Sequence, residues 1–186
     1  DMTKMLLIVD PQIDFITGSL PVPGASEAMD KLSKYVIEHN DDYTVRIVTS
    51  DWHPYNHCSF SRKGGPWPSH CVQHSVGAAI WQPLVDALNL SRGGYTLLYK
   101  GTRVDKEEYS IMQNADSTTV IIRLINALKI GQIDLCGLAG NVCVLDTAKD
   151  LLAIFGSEKL HILTGYTPSL DDGSELKDFI ASNDLS

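Results

Sequence analysis

The sequence predicts an α/β fold. It reads as a Rossmann-like three-layer α/β/α sandwich over residues 1–186, with a mainly parallel sheet of five to six strands in a single domain. Three observations carry this. Short apolar runs recur that are too brief for helices, segments with helical spacing lie between most of them, and several of the runs end on a charged residue. Strands that alternate with helices imply right-handed crossovers and a sheet covered on both faces.

The strand candidates are Met5–Asp10 (MLLIVD), Thr44–Asp51 (TVRIVTSD), Thr96–Lys100 (TLLYK), Ile133–Leu138 (IDLCGL) and Leu160–Thr164 (LHILT). Near-continuous aliphatic character without alternation suits a strand buried on both faces. Ser26–His39 sets Ala28, Met29, Leu32, Tyr35, Val36 and Ile37 near one helical face, behind a Pro-Gly start signal. Ser117–Leu128 and Asn141–Phe155 have the same spacing, and Gly156 stops the second. Gly173–Asn183 is a last helix candidate.

Two stretches break the rhythm. Trp52–Ala78 holds four of the six histidines among prolines, glycines and aromatics, and Gly101–Asp116 is polar and carries Tyr109. Loops this long inside a compact domain are commonly functional.

Composition narrows the function classes. The chain has 186 residues, 44% of them apolar and 20% charged, which is globular rather than disordered. No apolar run reaches the roughly 18 residues of a membrane span. A net charge of −8 argues against nucleic acid and anionic membrane as partners. Four cysteines at irregular spacing do not form a disulfide framework, so a reducing, cytoplasmic compartment is expected. The N-terminus lacks the pattern of a signal peptide, and Met2 is expected to be the natural start.

In a parallel α/β sheet, ligands bind beyond the carboxyl ends of the strands. Asp10, Asp51, Lys100 and the turn Leu138–Cys143 all fall there. One strand-end charge alone is commonly a solvated acid or a helix cap. Four strand ends delivering two acids, a base and a thiol to one edge are informative. Cys143 opens a helix after Gly137-Leu138-Ala139-Gly140-Asn141, where the helix N-terminus favours a thiolate and free N–H groups can hold an oxyanion. Cys136 lies mid-strand and reads as a core residue. Asp51, His53, His57 and His70 offer oxygen and imidazole donors suited to zinc, iron or manganese with open positions. A closed zinc knuckle from Cys58, His70, Cys71 and His74 is the competing reading, but it lacks the paired spacing of such knuckles.

The segments VDPQIDF (Val9–Phe15), DWHPYNHCSF (Asp51–Phe60), WPSHCVQHSVGA (Trp67–Ala78), YKG (Tyr99–Gly101) and GLAGNVCV (Gly137–Val144) occur in that order. Together they resemble the nicotinamidase branch of the isochorismatase-like cysteine hydrolases, over nearly the whole chain. The resemblance implies hydrolysis of nicotinamide, and also pyrazinamide, through a cysteine thioester in NAD salvage. It implies a triad of Asp10, Lys100 and Cys143, with oxyanion donors on Ala139 and Cys143 turned inward by a cis Leu138–Ala139 bond. It implies one divalent transition metal on Asp51, His53 and His70, zinc first with iron or manganese as alternatives, that binds the pyridine nitrogen. His57 is left open, because some members use a histidine in this region as a ligand and others do not. Phe15 and Trp67, with Tyr109 as a third, match the residues that hold the substrate ring. The chain departs from the commoner pattern at Gly140-Asn141, where many relatives have Thr-Asp. It also departs in the charged loop after Lys100, and both departures are expected to affect the entrance.

Two further readings stay open. One is an amidohydrolase of the same superfamily acting on a ureido, carbamoyl or non-pyridine amide. The other is a non-catalytic metal- or ligand-binding domain. Assembly into a homo-oligomer is also left open.

Overall fold

The computed structural model describes residues 2–186, so Asp1 lies outside the described residues. Five strands form one parallel sheet: β1 (Lys4–Val9), β2 (Val45–Asp51), β3 (Thr96–Lys100), β4 (Gln132–Gly137) and β5 (Leu160–Ile162). Their order across the sheet is β3-β2-β1-β4-β5. The sheet therefore has the lower of the two expected strand counts, and each strand falls on an aliphatic run read from the sequence.

Alternation along β1 explains the three layers. Met5, Leu7 and Val9 enter one core with Ile121 and Ile125 of α4 (Ala115–Ala127) and Ala148 and Leu151 of α5 (Cys143–Phe155). Leu6 and Ile8 enter the other with Met29, Leu32 and Val36 of α2 (Ala25–Glu38) and Leu84 and Leu88 of α3 (Gln82–Leu90). Every β1 residue from Met5 to Val9 is fully buried. Successive side chains point to opposite faces, so a strand with apolar residues at every position has helices on both sides. The short α1 (Ile13–Ile16) follows β1, and α6 (Ser174–Ser182) closes the chain.

The α3 helix has no counterpart in the sequence reading. It is nine residues long and carries Pro83 in its first turn, where a missing N–H is tolerated. A short segment with a proline gives too little periodicity to register. Among the described residues, no helix is long and apolar enough to cross a membrane.

The end of β4 sets the approach to the loop that carries Cys143. Gly137 has φ +119°, and a Cβ there would stand 2.1 Å from the Val9 carbonyl oxygen of the neighbouring strand. Gly156, which ends α5, also has positive φ but open space around it. Gly137→Ala is expected to lower stability by about 2–4 kcal/mol, from a disfavoured φ added to a backbone clash. Gly156→Ala should lose only about 1 kcal/mol. Denaturant midpoints of the two variants check this, and equal losses would show that the Val9 contact does not matter.

Candidate active site

Register carries the candidate residues to one edge. Asp51 and Lys100 are paired neighbours at the ends of β2 and β3, and Val9, just before Asp10, pairs with Gly137. Asp10 has φ +48°, a left-handed turn that lets the chain leave β1 while its amide donates to the Thr49 carbonyl at 3.1 Å. The Thr49 hydroxyl donates to Asp10 Oδ1 at 2.7 Å. Gln12 is fully buried and clamps Asp51 like an extra strand: its Nε2 donates to the Asp51 carbonyl at 2.7 Å and its Oε1 accepts the Asp51 N–H at 2.9 Å.

Lys100 stands between the two acids. Its Nζ is 2.8 Å from Asp10 Oδ2 and 2.6 Å from Asp51 Oδ1, and all three residues are buried. The same ammonium donates to Cys143 Sγ at 3.6 Å. Burial pushes the Asp10 carboxyl up to about 6, with Lys100 offsetting part of the rise. Burial acts on Asp51 in the same direction, but Lys100, His53 and His70 outweigh it and hold that carboxyl well below the usual range. Burial disfavours the charged Lys100, yet the two carboxylates prevail and keep it protonated.

Burial weighs most at the thiol. Cys143 does open α5, but burial raises its pKa well above that of a free cysteine, with Lys100 opposing and Asp10 and Asp51 adding to the rise. Two carboxylates and a desolvated site outweigh the helix end and one ammonium. Burial therefore favours the thiol form of Cys143, with a carboxylate of raised pKa at hand.

The Leu138–Ala139 peptide is cis, as the resemblance implied. The amides of Leu138, Gly140, Val142 and Val144 all donate to backbone carbonyls. Among the described residues, those of Ala139, Asn141, Cys143 and Leu145 have no acceptor, and Ala139 and Cys143 are the two that line the pocket.

Asp51 turns its other oxygen toward imidazoles. His53 Nε2 lies 3.4 Å and His70 Nε2 3.8 Å from Asp51 Oδ2. Gly101 has φ +64°, and a Cβ on it would stand 2.4 Å from the His53 ring. Its carbonyl accepts from His53 Nδ1 at 2.7 Å, and the Pro68 carbonyl accepts from His70 Nδ1 at 2.8 Å. Both rings therefore carry a proton on Nδ1, and when neutral they turn bare Nε2 lone pairs toward the Asp51 carboxylate. His53 Nε2 is buried without a partner. Three donors converge with no hydrogen between them, which is an arrangement a divalent cation satisfies. The ligand atoms of Asp51, His53 and His70 all lie within 4.8 Å of one another.

His57 is placed differently. Its Nδ1 is 2.7 Å from the Ser59 hydroxyl and its Nε2 2.9 Å from the Lys106 carbonyl, so both nitrogens are taken. Its ring stacks on His53 with centroids 4.0 Å apart. Among the described residues, Cys58, His70, Cys71 and His74 form no ligand cluster.

A pocket opens over this floor. Asp51, His70, Ala139 and Cys143 reach it, and Phe15, Trp67 and Tyr109 wall it. Trp67 Nε1 donates to the Tyr109 hydroxyl at 3.1 Å, and the Phe15 and His70 rings sit 5.4 Å apart. Leu170 also lines the cavity. It is held there because Asn141 Oδ1 accepts its N–H at 2.9 Å and the Gly140 amide donates to the Pro168 carbonyl at 2.9 Å. A Cβ on Gly140 would stand 2.4 Å from the Thr167 carbonyl oxygen. Gly140 and Asn141 thus hold the segment that carries Leu170 against the pocket.

The sequence reading missed Gln12 and Thr49, and it took Glu107 and Glu108 only as part of a charged loop with Arg103, Asp105 and Lys106 that affects the entrance. Glu107 lines the cavity, and Glu108 is buried beneath it. Only the buried, uninterrupted DPQ at the end of β1 could have singled out Gln12.

Residues 4–154 match the isochorismatase domain family. A nicotinamidase/pyrazinamidase of Mycobacterium tuberculosis is 31% identical, covering 79% of this chain and 77% of the relative. A pyrazinamidase of Pyrococcus horikoshii solved in complex with zinc superposes with a TM-score of 0.84 at 29% identity, over 98% of this chain and 97% of that one. PnC1 from L. infantum, solved in complex with nicotinate, gives 0.80 at 28% identity, over 99% and 91%. On this evidence the chain belongs to the isochorismatase family, on its nicotinamidase branch.

Proposed function

We propose that this chain hydrolyses nicotinamide to nicotinate and ammonia, with pyrazinamide as a second substrate, and so serves NAD salvage. The observation that carries the reading is the buried Asp10–Lys100–Cys143 group opening onto an aromatic-walled cavity that Asp51 and His70 also reach. The relatives named above are nicotinamidases and pyrazinamidases, and one neighbour holds nicotinate. A non-catalytic binding domain has no use for a buried cation beside a thiol, and a ureido substrate has no use for three aromatic walls.

The residues supply each step. Asp10 takes the thiol proton as Cys143 Sγ attacks the carboxamide carbon, while Lys100 balances the forming thiolate. The amides of Ala139 and Cys143 receive the oxyanion. Removing one such donor costs roughly 3–4 kcal/mol in comparable sites. The C–N bond then breaks, and the proton held by Asp10 leaves with the amine as ammonia. Water, deprotonated by Asp10, attacks the thioester, and its collapse releases the carboxylic acid and restores the thiol. An Asp10 pKa near 6 suits this shuttle, because an ordinary carboxylate gives back a proton readily but accepts one poorly. Phe15, Trp67 and Tyr109 hold the ring. Asp51, His53 and His70 would hold a divalent metal, zinc by analogy with the neighbour, whose Lewis acidity supplies a partner for the pyridine nitrogen.

Ammonia release from nicotinamide by purified, metal-supplied protein tests the reading, and no release overturns it. Cys143→Ala should abolish turnover, and Asp10→Asn should slow it about 10²–10⁴-fold. Cys58→Ala, Cys71→Ala and Cys136→Ala should keep it. Mass-spectrometric mapping of substrate-protected alkylation should find Cys143, and protection of another cysteine would reassign the nucleophile.

Metal analysis should find about one divalent ion per chain, lost in Asp51→Ala and His53→Ala. His57→Ala should retain most of it, since both His57 nitrogens are bonded elsewhere. A His57 variant as empty as the His53 variant would place His57 among the ligands.

Benzamide separates ring binding from amide chemistry. It keeps the carboxamide and shape of nicotinamide but lacks the ring nitrogen. Its kcat/KM should fall at least about a hundredfold, or roughly 2.7 kcal/mol, while pyrazinamide stays a substrate. Benzamide turnover near that of nicotinamide would move the metal's role away from the ring.

A further inference from the structure

Adjacent acids after β3 face opposite ways. Glu108 is buried, and its Oε1 accepts the Gly101 N–H at 2.8 Å and the Asn114 side-chain amide at 3.1 Å. The Lys100 carbonyl accepts the Trp52 N–H at 3.0 Å, so the peptide joining Lys100 to Gly101 is held at both ends. That anchoring fixes the loop from which Glu107 extends into the cavity wall. Glu107 Oε1 accepts the N–H of Glu108 at 3.0 Å. Its Oε2 is shielded from solvent and has no partner among the described residues.

A shielded carboxylate oxygen without a donor is costly, and a native structure keeps one where something unseen supplies the donor. Ligand atoms of Glu107 lie within 4.8 Å of those of His53 and His57. His57 has no nitrogen to offer, and the Asp51, His53 and His70 group shares only His53 with this set. Glu107 thus stands beside the metal donors without joining them. The charge of Glu107 is felt at His53, His57 and His70 alike, where it works against burial.

We propose that Glu107 Oε2 holds a water bound to the cation of Asp51, His53 and His70, and so sets how tightly this chain keeps its metal. The inference rests on the metal centre of the proposed function, and it goes beyond the donor set by naming the carboxylate that completes the cation's surroundings. Groups in such a position commonly change metal affinity 10–100-fold.

The test strips wild-type protein, Glu107→Gln and Glu107→Ala of metal and titrates zinc back against a chromophoric chelator. Both variants should bind zinc 10–100-fold more weakly, while thermal unfolding of the stripped proteins stays level. Cobalt-substituted Glu107→Gln should show an altered visible absorption band. Glu107→Gln with zinc affinity within twofold of wild type, whether or not Glu107→Ala is weakened, overturns this inference alone. Wild-type protein that binds no zinc overturns it together with the reading beneath it.

Discussion

The Lys100 ammonium, buried between Asp10 and Asp51, is the interaction on which the rest of the site depends. Three charges taken out of water at one place are tolerable only while they neutralise one another. Lys100 is therefore a structural ion as well as the proposed partner of the thiolate. Removing it would leave two carboxylates facing each other in the interior, and breaking a buried pair in this way costs about 3–5 kcal/mol. Loss of turnover in a Lys100 variant would mix chemistry with folding, whereas an Asp10→Asn exchange keeps the shape and removes one charge.

Sheet order is what brings these charges together. With β1 between β2 and β4, and β3 beyond β2, the carboxyl ends of four strands stand side by side, and the thiol arrives on the helix that follows β4. The Asp51–Lys100 register places the acid and the base on neighbouring strands at the same level. Asp51 serves both halves of the site at once: Oδ1 faces the ammonium and Oδ2 faces the imidazoles. Through that one carboxylate the nucleophile and the metal donors share an electrostatic balance.

How much of this the sequence shows depends on whether a feature is local. β1 is legible because it is buried on both faces and aliphatic from Met5 to Val9, and the other strands keep enough aliphatic residues to show despite Arg46, Tyr99, Asp134 and His161. The strand-end residues are legible because parallel sheets place their sites there. α3 is not, since nine residues with a proline carry too weak a period. Glu107 and Glu108 look like any solvated charge run in the sequence. Their difference arises only when Gly101 and Asn114 come within reach of one and His53 of the other. The environment of the Cys143 thiol is equally non-local. A helix end is visible in sequence, but the depth of burial that outweighs it is not.

The charge count then explains why a thiol and a metal share one cavity. Asp10, Asp51 and Lys100 sum to one negative charge while Cys143 stays protonated. Asp51 is ionised under all ordinary conditions and already has one oxygen committed to the ammonium. Its second oxygen faces the Nε2 atoms of two imidazoles, so with those rings neutral the excess charge lies on the His53 and His70 side. A cation at that position neutralises the excess without competing for Lys100, and the ammonium remains free to face Sγ as the proton moves to Asp10. A low-pKa thiolate would add a second buried negative charge at rest. Keeping the thiol neutral until a substrate carbonyl is in place means that the charge develops only when the Ala139 and Cys143 amides can receive it.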